Sequence, residues 1–315
     1  MDAITARGLA RDFGDTHAVA GVDLAVHTGE IYGFLGPNGA GKSTMVRMLT
    51  TLLRPSAGSA LVAGHDVASE ADKVRLDIGV ALQDAALDPK QTGRELLDLQ
   101  GRLYGLSPAE RKRRVGDLLD LVDIGDAIDR YISTYSGGMK RRLDLAAALV
   151  HQPQVLFLDE PTTGLDPTSR AAVWAEVREL NQRLGMTIFL TTQYLEEADA
   201  LADRVGIIAH GKLVAEGTPG ELKRSIGSDV IVARVAPADS ERVVEVVRRL
   251  AAVASVEASG DEVLMSVDHG AAAISPVAVA LAEAAIRVEG LTLRTPTLDD
   301  VFLHITGGRM QEEGG

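Results

Sequence analysis

The chain has 315 residues, about twice the usual single-domain length, so one large domain or two ordinary ones is expected. Hydrophobic residues make up 46%, but only 5 Phe, 5 Tyr and 1 Trp are aromatic, so aliphatic side chains must build the core. Cysteine is absent, which excludes disulfide frameworks, thiolate zinc sites and cysteine nucleophiles, and the net charge of −13 argues against a general electrostatic grip on nucleic acid or anionic lipid.

In chain order, residues 31–35 read as a buried strand ended by a glycine-rich loop, and 42–52 as a helix stopped before Pro55. Helical periodicity over 94–104, 108–121 and 138–151 predicts a helical subdomain, about 84–150, set into a sheet domain. The apolar runs 155–158 and 187–192 lack alternation, as expected of strands covered on both faces. Together these predict a parallel α/β domain over 1–227. A boundary falls near Ile226-Gly227-Ser228. Beyond it, strand 230–235, helix 240–252, strands 255–258 and 262–267, helix 276–286 and strand 288–294 give the order βαββαβ. That is a small α+β, ferredoxin-like domain over 228–306, with a closing helix 298–305 and a flexible tail 307–315.

The most apolar window, 271–286, carries Ser275, Pro276 and Glu283 and falls short of the roughly 20 apolar residues of a membrane span. Met1-Asp2-Ala3-Ile4 lacks the basic and apolar regions of a secretory signal, so a cytosolic chain is expected.

Gly36-Pro37-Asn38-Gly39-Ala40-Gly41-Lys42-Ser43-Thr44 matches the phosphate-loop pattern GxxxxGK[ST] in full, between a predicted strand and a predicted helix. Its glycines let consecutive N–H groups converge on one anion, and the helix start adds partial positive charge. Lys42 suits the β- and γ-phosphates, and the Ser43 hydroxyl suits Mg²⁺. The pattern implies a nucleoside triphosphate ligand. The strand 155–158 then delivers Asp159, a Mg²⁺ candidate, and Glu160, placed to take a proton from an attacking water.

Tyr135-Ser136-Gly137-Gly138-Met139 resembles the signature motif of ATP-binding cassette (ABC) ATPases, and it stands just before the Asp159 strand as in that family. Gln83 lies where the family has its glutamine loop, Gly164-Leu165-Asp166 resembles the loop after the catalytic carboxylate, and Phe13 matches the adenine-stacking aromatic. These motifs cover residues 1 to about 225 in family order. The resemblance implies the P-loop NTPase fold and ATP with Mg²⁺ as ligands. It further implies that Phe13 and Val19 pack on adenine, and that Ser43, Gln83 and Asp159 hold the metal, with Glu160 as catalytic base. It also implies that Asp166 belongs to the ATP-binding set, and a head-to-tail homodimer in which Ser136, Gly137 and Gly138 of one copy close over ATP held by Lys42 of the other. By its own chemistry, Ser136 suits an N-cap that leaves a helix start facing an anion.

Residue 193 departs from the family, which most often has histidine there. Gln193 can hydrogen-bond a γ-phosphate but cannot carry a proton, which leaves Glu160 as the centre of catalysis and predicts slow turnover. Gln193, with Leu298-Asp299-Asp300-Val301-Phe302-Leu303, resembles the daunorubicin-resistance branch, whose subunits power multidrug or antibiotic efflux. Leu298, Phe302, Leu303 and Trp174 read equally as core residues, and Lys140-Arg141-Arg142 and 111–114 as solvated helix faces. The resemblance implies an exporter subunit on the cytoplasmic face of the membrane, working with a separately encoded integral permease and not with nucleic acid. A cytosolic ABC ATPase of translation or DNA repair, or an import subunit, are the alternatives.

Overall fold

The computed structural model describes residues 1–82, 87–122 and 124–306; Gln83 and the tail 307–315 lie outside them. The described residues divide into two compact units, one up to Pro219 and one from Gly220 onward, a division several residues before the one read from sequence.

The first unit opens with β1 (Asp2–Phe13) and β2 (Thr16–His27), then β3 (Ile31–Leu35), α1 (Lys42–Leu49), β4 (Ala57–Val62), β5 (His65–Asp66), α2 (Ala71–Asp77) and β6 (Ile78–Ala81). Three helices follow, α3 (Gly93–Leu103), α4 (Pro108–Val122) and α5 (Gly137–Leu149). Then come β7 (Val155–Asp159), α6 (Pro167–Leu184), β8 (Thr187–Thr192), α7 (Leu195–Leu201), β9 (Arg204–Ala209) and β10 (Lys212–Gly217). The central sheet has the order β10-β9-β3-β8-β7-β6, with β9 to β6 parallel and β10 an antiparallel edge. A second, antiparallel sheet, β2-β1-β4-β5, is one that the sequence reading does not single out.

Alternation in β7 is hidden because both faces are buried. Val155 and Phe157 enter the core shared with the antiparallel sheet and α1, whereas Leu156 and Leu158 enter the core shared with α3–α6. Tyr32, Phe34 and Phe157 all pack around Phe189, with ring centroids 5.5–5.7 Å apart, so the few aromatics are concentrated at the centre of the sheet.

Helices α3, α4 and α5 pack on one another in the crossover between the adjacent parallel strands β6 and β7. Thr92 and Glu95 form a reciprocal capping box at the start of α3. Two arginines predicted to be solvated are structural. Arg111 pairs with Asp98 at 2.6 Å, and Arg114 donates to the Leu149 and Val150 carbonyls at the end of α5. Orphan carbonyls at a helix end attract just such a cation.

The second unit contains α8 (Pro219–Ile226), β11 (Asp229–Val235), α9 (Ser240–Val247), β12 (Val253–Ser259), β13 (Glu262–Val267), α10 (Gly270–Glu283), β14 (Val288–Arg294) and α11 (Leu298–Thr306). Its all-antiparallel sheet, β12-β13-β11-β14, is the ferredoxin-like strand order. Helix α10 starts six residues earlier than predicted and carries Pro276 inside it. The early start is anchored by the Gly270 N–H, which donates to Asp229 Oδ2 at 2.7 Å. Leu298 and Phe302 are buried in α11, as their spacing suggests. No helix among the described residues is long and apolar enough to cross a membrane.

Candidate active site

Strand β3 feeds directly into the loop 36–41, whose start is pinned to β8 by the Gly36 N–H donating to the Thr192 carbonyl at 3.3 Å. A Cβ at Gly36 would lie 2.5 Å from the Ile208 carbonyl oxygen. One at Gly41, where φ is +110°, would run into the Ala18 carbonyl. The loop therefore requires glycine at both places. Ala40 N–H closes onto the Pro37 carbonyl at 3.2 Å, and α1 begins at Lys42 with its unpaired first-turn N–H groups facing out of the helix start.

Lys42 is 4% exposed; its ammonium donates to the Gly36 and Pro37 carbonyls at 2.8 and 3.2 Å and pairs with Glu160 Oε1 at 3.0 Å. Glu160 is the residue after β7 and has φ +48°, a conformation non-glycine residues adopt only when held. What holds it is Thr191, at the adjacent position on β8. The Glu160 N–H donates to both the carbonyl and the hydroxyl of Thr191, each at 3.1 Å. The same hydroxyl donates to Asp159 Oδ1 at 2.5 Å, an oxygen that also accepts from the Ser43 hydroxyl at 3.3 Å. Parallel pairing of β7 with β8 thus places Asp159 and Glu160 beside the phosphate loop.

Lys42, Ser43, Thr44, Glu160 and Gln193 line one cleft of about 400 Å³ with Ala18, Asn38, Gly39, Gly41 and Thr163. Its cation, its loop of N–H groups and its hydroxyls suit a polyphosphate. Asp159 and Ser43 offer hard oxygen donors close together, which fits a Mg²⁺ ion that brings most of its ligands from nucleotide and water.

Other predicted residues lie apart from this cleft lining. Val19 is fully buried, so its neighbour Ala18 forms the wall instead, because side chains alternate along β2. Phe13 is 48% exposed, and the Arg11 guanidinium lies 4.7 Å from its ring centroid. Asp166 caps α6 through the Thr168 and Ser169 N–H groups, and the hydrogen bonds from Ser169 hold its carboxyl below the ordinary range. Ser136 caps α5 by accepting from the Met139 N–H at 3.2 Å, leaving Gly137 exposed and Gly138 half-buried in the first turn.

A buried polar network behind the cleft went unread in sequence. Glu197 on α7 is fully buried and accepts from the Thr162 hydroxyl and the Trp174 indole, both at 2.9 Å; burial raises its pKa. Trp174 is therefore a hydrogen-bond donor as well as a packing residue. Arg141 and Arg142, expected on a solvated face, are instead 12% and 28% exposed. Arg142 pairs with Glu176 at 2.6 Å, tying α5 to α6. Asp144, one turn after Arg141, is pushed up to about 6 by burial.

Residues 19–163 match the family described as ABC transporter, and 217–306 match the C-terminal domain of DrrA1-3-like ATP-binding proteins. The chain is 50% identical to the daunorubicin resistance ATP-binding protein DrrA3 of Streptomyces coeruleorubidus, over 97% of this chain and 96% of that one. It is 36% identical to the linearmycin resistance ATP-binding protein LnrL of Bacillus subtilis, over 98% of this chain and 100% of the other. Among solved structures, cbiO1 from Clostridium perfringens, part of the ABC transporter complex cbiONQ, superposes with a TM-score of 0.66 at 28% identity, covering 79% of this chain and 96% of that one. A phosphate loop facing two strand-end carboxylates, and identity of this order across both units, lead to one conclusion: the chain belongs to the ATP-binding, ATP-hydrolysing subunits of ABC transporters, in the daunorubicin-resistance branch.

Proposed function

We propose that this subunit drives export of a drug-like or lipid-like amphipathic compound, at the cytoplasmic face of the membrane, through a separately encoded integral permease. The names of the relatives support this: daunorubicin, doxorubicin and linearmycin resistance and Nod factor export recur among them. The observation that carries the chemistry is the contact of Lys42 with Glu160 at 3.0 Å, which brings the phosphate-binding cation and the base to one point in the cleft.

In this reading the 36–44 backbone and Lys42 hold the ATP phosphates, and the adenine rests on Phe13 and Ala18. Ser43 and Asp159, with Gln83, hold Mg²⁺, which supplies charge neutralisation at the phosphates. Glu160 orients the attacking water and takes its proton; Gln193 donates an amide N–H to the γ-phosphate. Positioning and electrostatics are nearly all that phosphoryl transfer requires of the protein. A second copy of the chain contributes the α5 start at Ser136, Gly137 and Gly138, so that ATP closes a homodimer and hydrolysis reopens it. Asp166 acts in this interface through the turn it caps.

The test is Glu160→Gln in the permease complex. Loss of the base lowers kcat about 10²- to 10⁴-fold with ATP still bound. Wild-type turnover in that variant would refute the role given to Glu160.

A further inference from the structure

Arg141 occupies a position that neither the cleft nor the helix cap explains. It lies on α5, in the first turns after Ser136, with its side chain only 12% exposed. One Nη donates to the Leu82 carbonyl at 2.8 Å, the residue immediately before Gln83, and lies 3.4 Å from Asp144 Oδ2. The other Nη is buried without a partner among the described residues. Of the carboxylates around the guanidinium, Asp144 on its own helix contributes most, ahead of Glu197 on α7 and Asp159 at the end of β7. Each belongs to a different segment of the machinery. Glu197 in turn holds Thr162, two residues beyond Glu160, and stands four residues after Gln193.

A guanidinium is charged at any physiological pH, so burying it is unfavourable unless its surroundings compensate. Plain helix packing would be served better by an apolar residue of similar volume. The arrangement makes sense if the fork ties segments together: its donors have fixed geometry, so α5 cannot shift without dragging the Leu82 backbone or breaking the contact.

We propose that Arg141 is a positioning residue, a strut that joins the helix capped by Ser136 to the Leu82 backbone where the chain leaves β6. Through it a displacement of the helix that Ser136 caps is carried to the chain leaving β6. This deepens the reading of Ser136 as part of the ATP site and rests on it.

The test uses the full chain with three variants, Arg141→Met, Asp144→Asn and the double variant, reading ATPase kcat, KM, fluorescent-ATP affinity and Tm. Arg141→Met is expected to lower kcat about 10- to 100-fold while nucleotide affinity stays within about twofold, because no cleft residue is touched. Its Tm falls, since Asp144 becomes an uncompensated buried carboxylate. The double variant regains Tm by removing that charge but not kcat, because the tie to Leu82 is still missing. Arg141→Lys, which keeps the charge and loses the fork, keeps the fold and also loses kcat. Recovery of kcat together with Tm in the double variant would reduce Arg141 to charge balance and overturn the proposal. So would unchanged kcat in Arg141→Met or Arg141→Lys, or an affinity loss that tracks kcat. Wild type that bound no ATP, or Lys42→Ala that bound it equally well, would instead overturn the underlying site reading.

Discussion

Thr191→Val isolates the hydroxyl that organises both acids. Thr191 is fully buried, and its Oγ1 donates to Asp159 at 2.5 Å while accepting from the Glu160 N–H at 3.1 Å. Valine keeps the shape and the strand preference and deletes only the hydroxyl. A hydrogen bond to a charged group contributes about 1.5–3 kcal/mol. The Glu160 N–H keeps its bond to the Thr191 carbonyl, so its share of the loss is small. The cost is then about 2 kcal/mol, and at roughly 2–4 °C per kcal/mol for a body of this size the first unit should melt about 4–8 °C lower. Glu160 would also lose one of two contacts that keep it at positive φ, so kcat should fall at least about tenfold while the loop 36–41 still binds ATP. Scanning calorimetry and a steady-state ATPase assay read the two effects, with Thr191→Ser as the hydroxyl-restoring control. A melting point within about 1 °C of wild type and an unchanged kcat would refute the reasoning.

Gly41→Ala tests the loop geometry: a methyl group meeting the Ala18 carbonyl at φ +110° should weaken ATP binding at least about tenfold with the circular dichroism of the fold unchanged. Asp144→Asn tests the buried acid. Its pKa lies above the ordinary 3.8, at about 6, so the fold binds its proton more tightly than the unfolded chain and stability falls as pH rises between those values. The ceiling is about 3 kcal/mol, and asparagine should flatten stability against pH in that window; an unchanged slope would contradict the assignment.

Much of the molecule is legible from local pattern. The loop 36–44 and the run 155–160 announce themselves because their chemistry demands fixed residue types at fixed spacing. The βαββαβ order of the second unit shows in its alternation of strand and helix periods. The β1–β2 sheet is harder to see. Repeated register shifts, as between Ala6 and Leu9, break the two-residue period by which a strand is recognised. Arg111, Arg114 and Arg141 mislead for another reason: a charged helix position looks solvated until partners remote in sequence, such as the Val150 and Leu82 carbonyls, are folded against it. Thr191 and Glu197 are likewise silent in sequence, since their importance comes from which strand or turn lies beside them. Pro276 misplaces the start of α10 because a proline most often marks the first turn of a helix, and here the anchor is Asp229.

Titration calorimetry with ATP and Mg²⁺, on wild type and on Lys42→Ala, goes most directly to the claim that this loop and its single ammonium hold the triphosphate. Saturable one-to-one binding by wild type, weakened at least about a hundredfold by the substitution, is the predicted result. Equal heats for the two proteins, or none for either, would contradict it.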